Sequence, residues 1–400
     1  SRYSQTTQTL VSFCSCFCGT RKVYQINGTS YFNFGNVLFT VSGGNIVFDE
    51  KITIVSKDSM DKKLSFSICM PVYQGSHLIR NAIDSIRKQG FENYELLIGD
   101  DNKPEEKSES DKTKAILDSY NDPRIKYTNN EHNLGYPENL KSIVSRATKD
   151  IIFLMAQDDF LSNDALGKTH DAFFLDDDVG VVTRPYFWFY DSLDKPVRAV
   201  TPYDPENDAV LSIHDGKEEF NKIFDSVGQL SGLAYRREYL EVPFHHDVFP
   251  AHIYPFAGIL KKHKCVFLKD YTVAVGIQDS QTRFVTSIYD KSPTESWISM
   301  FNTVFSEEEF SKQREWGNEE MTSHYVGLVQ LKNYGKPGVL WREILLLIKY
   351  RKKNLLAPLF WFFSIGCLVI PRSFLIWLVD TYKLRVNSKL LGSIEFNYIS

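Results

Sequence analysis

The sequence predicts an α/β chain built on a mainly parallel central sheet flanked by helices, with a small β-rich segment before it and helices after it. Three observations carry this expectation. From Leu64 onward, short apolar runs alternate with amphipathic stretches, the pattern of strands joined by crossover helices. Two of those apolar runs end in paired acids, Asp100-Asp101 and Asp158-Asp159. From about residue 336 the chain turns basic, aromatic and strongly apolar.

The elements follow in order. Residues 1–62 alternate Thr, Ser, Gly, Asn and aromatics with Val and Ile, as in "YFNFGNVLFTVSGGNIVFDEKITIV", which is strand and turn chemistry with "SGGN" as a hairpin. Their role is not legible. The polar stretch "SKDSMDKK", 56–63, reads as a linker to a domain over 63–285. There "LSFSICMPV" is a buried strand, and Leu78, Ile79, Ala82, Ile83 and Ile86 line one face of the next helix. "YELLIGDD" is a second strand, followed by a polar helix around 109–120. "RIKYTNN" is a third; "NLGYPENLKSIVSRA" then opens a helix on Gly135 and Pro137 and buries Leu140, Ile143, Val144 and Ala147. "IIFLMAQDD" is the fourth strand, followed by a helix over 163–175.

Residues 286–335 read as a helical connection, and 336–400 as amphipathic and hydrophobic helices that associate with a membrane. The apolar run 355–370 has 16 residues before Pro371-Arg372 interrupts it, short of the roughly 20 that span a bilayer. A hairpin lying on or dipping into the surface fits better. Lys349, Arg351, Lys352 and Lys353 precede it, suited to anionic headgroups, and Trp and Phe crowd its edges. A helical core packed under the main domain is the alternative.

Composition narrows the partners. A net charge of −4 gives no support for nucleic-acid binding, so an anionic ligand must be held locally. Cys69, Cys265 and Cys367 sit in apolar contexts as reduced thiols. Cys14, Cys16 and Cys18 have C-x-C-x-C spacing, which is not that of common zinc sites, and "NGT" at Asn27 reads as a turn. No secretory signal is evident at the start, and the expected location is cytoplasmic, peripheral to the cytoplasmic face of the membrane.

Ligands of open α/β sheets bind outside the carboxyl ends of the strands, so both acidic pairs point to one crevice. Carboxylates there cost desolvation energy, and a divalent cation offsets it. One or two carboxylates plus ligand phosphates is the donor set that Mg2+ or Mn2+ prefers. Helix capping by one Asp of the 158–159 pair is compatible with that role but does not explain a second pair.

"SICMPVYQGSHLIRNAIDSIRKQGFENYELLIGDDNKPEE", "DPRIKYTNNEHNLGYPENL" and "DIIFLMAQDDFLSNDAL" resemble the opening half of the family 2 glycosyltransferases with the GT-A fold, as found in bacterial polysaccharide and O-antigen synthesis. The resemblance is strong over 64–175 and fades to about 285. It implies that Pro71 and Tyr73 lie along the nucleotide and that Asp100 and Asp101 read base and ribose. Asn133, Gly135 and Asn139 would line the nucleotide-sugar pocket. Asp158 and Asp159 match the acidic element that holds the cation on the diphosphate, with Asp159 as direct ligand and Asp158 in support. Gln157 departs from an all-acidic element.

After "GQLSGLAYRREYL" the pattern departs further, for "FPAHIYPFAGILKKHK" puts His252 where an acidic catalytic base is expected. Imidazole can take a proton from a sugar hydroxyl. Asp247, beside His245 and His246, competes for the role, and a His252 without any catalytic role is equally open. Arg283 falls in the loop expected to close over the donor, where guanidinium suits phosphate oxygens. The expectation is a metal-dependent glycosyltransferase, inverting if either base is real, acting on a hydroxyl of a glycan or lipid-linked glycan acceptor. The rivals are a nucleotidyltransferase, for which "MPVYQGSHL" lacks the Gly-rich phosphate loop, and an inactive membrane-associated scaffold.

Overall fold

A computed structural model describes residues 63–278, 285–387, 389 and 391–398, together with four earlier strands, and divides into two compact units, Ser1–Lys63 and Leu64–Ser400. In the first unit β1 (Lys22–Ile26), β2 (Thr29–Phe34), β3 (Val37–Ser42) and β4 (Asn45–Val47) form an antiparallel meander. Ser42 pairs with Asn45, so the hairpin expected at "SGGN" is present. Cys14, Cys16, Cys18 and Asn27 lie outside the described residues.

The second unit opens with β5 (Phe66–Val72), α1 (Ile79–Arg87), β6 (Tyr94–Asp100), α2 (Lys107–Ser119), β7 (Ile125–Asn129), α3 (Tyr136–Ser145) and β8 (Ile151–Leu154). β8, β5, β6 and β7 lie side by side and all parallel, as the strand and helix alternation requires. β5, β6 and β8 are covered on both faces, which is why they read as largely apolar runs; β7 is the edge strand and alternates with solvent.

Next come β9 (Phe160–Leu161), α4 (Ala165–Ala172), β10 (Val179–Thr183), β11 (Tyr186–Phe189), β12 (Pro196–Val200), β13 (Ala209–Leu211), α5 (Lys217–Ser226), β14 (Ala234–Arg236), α6 (Ile253–Leu260), β15 (Lys264–Phe267) and β16 (Val273–Gly276). The central sheet has eight strands in the order β13-β15-β10-β14-β8-β5-β6-β7, with β14 antiparallel to both β8 and β10. It is mixed beyond β8, a point the sequence pattern did not show. β12, β11, β16 and β9 form a second, smaller sheet beside the acidic loop that follows β8.

The remainder is helical: α7 (Pro293–Val304), α8 (Ser311–Ser323), α9 (Gly327–Tyr334), α10 (Val339–Tyr350), α11 (Pro358–Val369) and α12 (Arg372–Tyr382). α7 starts where Ser292 accepts the backbone N–H of Glu295 at 3.0 Å and Pro293 fills the first helical position. Among the described residues no helix is long and apolar enough to cross a membrane.

The end of the sheet away from the strand carboxyl ends is pinned by Glu95. Its buried carboxylate accepts from the Ser67 hydroxyl at 2.6 Å, from the backbone and hydroxyl of Thr148 at 2.9 Å each, and from Lys126 at 2.5 Å. Burial alone would raise its pKa, but the Lys126, Ser67 and Thr148 bonds outweigh it and hold the value at about 2 instead of 4.5. The folded value is depressed, so the stabilisation is complete above the unfolded pKa and is lost as pH falls towards 2. Because Lys126 is half exposed, Glu95→Gln is expected to cost about 2 kcal/mol at neutral pH. Urea unfolding of both proteins should show that gap narrowing between pH 5 and the acid limit; a gap independent of pH would refute it.

Candidate active site

The chain crosses from β8 into the acidic loop through Met155 and Ala156, and each residue of "QDD" then does something different. Gln157 is a clamp. Its Oε1 accepts the backbone N–H of Tyr73 at 2.9 Å and its Nε2 donates to the Tyr73 carbonyl at 3.0 Å, so one amide pairs with the loop after β5 as a strand neighbour would. That is the physical content of the departure at this position: a carboxylate has no N–H to give.

Asp159 is turned inward and almost wholly buried. Its Oδ2 accepts from the Ser231 hydroxyl at 2.6 Å and its Oδ1 from the Gly276 N–H at 3.0 Å. Burial first, and the neighbouring Asp158 charge second, push its carboxyl well above the ordinary range, against the pull of Ser231, Gly276 and Arg184. Gly276 is required as glycine here, because a Cβ would sit 2.6 Å from the Asp158 carbonyl oxygen. Asp158 stands partly exposed at the mouth. The sequence put the direct cation contact on Asp159; in the structure its carboxylate accepts from Ser231 and Gly276, and Asp158 is the more exposed of the pair.

The second pair lies at the end of β6. Asp100 accepts from the Tyr127 hydroxyl at 2.7 Å and from the Asn102 N–H at 3.0 Å. Asp101 accepts the Leu134 and Gly135 N–H groups at 2.7 and 2.8 Å and the Asn130 amide at 2.9 Å. It is an anion at the start of α3, the favourable end of the helix dipole. Gly135, at φ +79°, makes the turn into that helix. Asn133 donates to the Asp101 carbonyl, and Asn139 donates to the Gly99 carbonyl at 2.9 Å while accepting from Asn130 at 3.1 Å. Asp101, Asn133, Gly135 and Asn139 are therefore brought together, in a network that holds the β6 end to α3. Asn133 also lines an open cavity of about 580 Å³ with His132, Leu134, Glu138, Lys141, Ser142 and Ser145.

Pro71 occupies a strand position beyond the last β8 partner, Cys69, so the N–H it lacks is not needed there. Tyr73 follows, half-buried, with its hydroxyl donating to Glu106 at 3.3 Å.

Arg184 and Ser231 join the acidic loop to the 226–231 loop, and the sequence reading did not single them out. Arg184 is fully buried. It donates to the carbonyls of Ser231, Ser226 and Gln229 at 2.6, 2.9 and 2.8 Å. Ser231 takes the Ala156 N–H at 2.8 Å while giving its proton to Asp159. The available signal was the lone Arg inside "VVTRPYFWF", since a charge within an apolar run has to be met by fixed partners.

His252 caps α6 from a fully buried position. Its Nε2 lies 3.0 Å from the Val227 carbonyl, which only accepts, so that nitrogen carries the proton. Burial holds the pKa down to about 4, so the ring is neutral and its Nδ1 accepts the Tyr136 hydroxyl at 3.0 Å. Both nitrogens are committed, which removes the lone pair that a base at His252 would need. Asp247 is mostly buried, accepts the Phe249 N–H at 3.2 Å and has Lys291 at 3.7 Å. Arg283 lies outside the described residues.

The fit to a cation can be judged from these groups. Among the described residues no three His, Cys, Asp or Glu side chains gather into a complete metal site. Adjacent carboxylates, one buried and one outward, still leave negative charge that a cation shared with ligand phosphates would satisfy. The donor set fits a magnesium- or manganese-type site completed by a substrate.

Known proteins resemble this chain in sequence and in fold. Residues 67–241 match the family model for glycosyl transferase family 2. A curated Escherichia coli protein, the UDP-Glc:α-D-GlcNAc-diphosphoundecaprenol β-1,3-glucosyltransferase WfgD, is 34% identical over 98 residues, 24% of this chain and 36% of that one. The chain thus aligns with about a third of that relative's length. Among solved structures, Staphylococcus aureus TarS 1–349 in complex with UDP-GlcNAc superposes with a TM-score of 0.54 at 14% identity, covering 80% of this chain and 90% of that one. The mannosyltransferase PcManGT from Pyrobaculum calidifontis, in complex with GDP-Man and Mn2+, gives 0.47 at 14% identity over 77% and 87%. The TarS superposition shows the fold, the GT-A arrangement expected from the sequence.

Proposed function

We propose, from the premise that residues 67–241 are a glycosyl transferase family 2 domain, that this chain moves a sugar from a nucleotide-sugar donor to a hydroxyl of a lipid-linked glycan, with inversion and with a divalent cation. The observation that carries it is the acidic loop after β8: a buried Asp159 fixed by Ser231 and Gly276, beside a partly exposed Asp158. Asp158 would hold the cation together with the donor diphosphate, and Asp159 holds the loop in place. The cation, Mn2+ or Mg2+, would carry charge on the leaving diphosphate.

The donor would lie across the strand ends between Pro71 and Tyr73 on one side and the α3 start on the other, with Asp100 and Asp101 fixing the wall it meets. Asp247 is favoured over His252 as base, because His252 has both nitrogens engaged. The Escherichia coli relative is named for a UDP-glucose donor, a diphosphoundecaprenol-linked acceptor and a β-1,3 product. A uridine nucleotide, an acceptor of that class and inversion are carried over on that basis. Such an acceptor places the work at a membrane surface, on its cytoplasmic face.

The test is a panel of nucleotide sugars incubated with Mn2+ or Mg2+, with and without a prenyl-diphosphate-linked sugar. Release of nucleoside diphosphate, increased by the acceptor and abolished by chelator, is the expected result. Pyrophosphate release from a nucleoside triphosphate, or no turnover of any donor, would overturn it.

A further inference from the structure

We infer that the outer face of α11, α12 and the turn before them is a docking surface for an anionic lipid bilayer, on which the two helices lie flat. Leu356 is 87% exposed, Val369 74%, Phe362 71% and Trp377 58%. Large apolar side chains at that exposure, repeated along two successive helices, are what soluble monomers avoid. The helices are nonetheless folded against the protein. Phe360, Ser364 and Cys367 form a buried stripe on α11 at spacings of four and three, and Leu375 anchors α12. One face packs into the core of α9 and α10 while the opposite face, also apolar, stands exposed.

Charge selects the occupant. Residues 336–400 hold ten Lys and Arg against three Asp and Glu, in a chain whose overall charge is −4. Glu343 accepts the Thr294 N–H at 3.0 Å and Asp380 the Tyr190 hydroxyl at 2.9 Å; on the basic side Lys336 is held by Asp290 at 2.7 Å, Arg342 by the Tyr289 and Asp290 carbonyls, and Arg351 by Asn354 at 2.7 Å. Lys352 and Lys353 stand exposed before α11, Arg372 at the start of α12 and Arg385 after it. An apolar face with Trp361 and Trp377 on it and cations around it complements a layer of anionic headgroups over acyl chains.

Length decides the orientation. Helices of 12 and 11 residues reach about 18 Å at 1.5 Å per residue, well short of the roughly 30 Å hydrocarbon core, and Pro371 separates them. The face is also held rigidly to the catalytic domain. Besides the Tyr190 to Asp380 bond, Asn387 donates to the Val197 carbonyl at 3.0 Å, and Phe396 and Tyr398 pack edge-on against Phe187 and Phe160 at 5.2 and 5.4 Å. Phe160 follows Asp159 directly, so the docking plane is fixed relative to the acidic loop. The inference deepens the proposed function by saying how the chain meets a lipid-linked acceptor, and rests on that reading only for its purpose.

The experiment needs no nucleotide sugar, so its failure is separate from failure of the transferase reading. The full chain is sedimented with vesicles of phosphatidylcholine alone or mixed with phosphatidylglycerol. Binding to the mixed vesicles is expected, weakened about tenfold by Phe362→Ser with Trp377→Ser and falling with added salt. Both side chains are exposed, and near-ultraviolet circular dichroism checks that the variant is folded. In the native chain, brominated acyl chains should quench tryptophan fluorescence. A chain left in the supernatant with mixed vesicles, undiminished binding by the variant, absence of quenching, or a stable dimer that buries this face would each overturn the inference.

Discussion

Asp158→Asn is expected to lower sugar transfer by about a thousandfold while leaving the fold intact, the scale on which a positioned charge acts on a leaving group. The side chain is partly exposed and its replacement is isosteric, so packing does not change. The native chain should bind nucleoside diphosphate much more tightly with Mn2+ than without it, and the variant should lose most of that difference. Ser231→Ala is the informative comparison. It removes the proton that Ser231 gives Asp159 and the acceptor that Ala156 uses, so it loosens the loop without touching the outward carboxylate. It should reduce turnover by about tenfold to a hundredfold and keep the metal dependence of binding. Unchanged metal dependence in Asp158→Asn would remove Asp158 from the cation site.

What the sequence revealed of this site follows from which interactions are local in the chain. β5, β6 and β8 were legible because strands buried on both faces are largely apolar, Ser67 and Glu95 being the polar residues inside them, and the ends of β6 and β8 are where the acidic pairs stand. The start of α3 was legible because Gly135 and Pro137 signal it within one turn. The division of labour within "QDD" was not. Gln157 acts on Tyr73, Asp159 on Ser231 and Gly276, all more than 70 residues away, and nothing in the local pattern tells which carboxylate turns inward. The surroundings of His252 were hidden for the same kind of reason: Tyr136 and Val227, which engage both of its nitrogens, come from other elements. The antiparallel β14 was equally hidden. "GLAY" is a short apolar run whose direction is set by which neighbours it inserts between, β8 and β10, and not by its own composition.

The largest stability effect should come from Arg184. A fully buried guanidinium is tolerated only if its donors are met, and here three backbone carbonyls of one loop meet them: Ser226, Gln229 and Ser231. Burial draws its pKa down to about 10, which still leaves it charged at neutral pH, 4.7 Å above the Tyr186 ring and close enough to Asp159 to favour that carboxylate's ionised form. Arg184→Met keeps the volume but leaves three buried carbonyls without donors and takes away a cation that favours the ionised form of Asp159, so a loss of about 3–5 kcal/mol is expected by urea unfolding. Arg184→Lys should recover only part of this, because one ammonium on a flexible stem cannot reach three carbonyls that a planar fork spans. The same loop carries the Val227 carbonyl that fixes His252 and the Ser231 hydroxyl that fixes Asp159. Turnover at temperatures where both variants remain folded should therefore fall with stability, and an Arg184→Met protein as stable as the native one would show that the loop is held by something else.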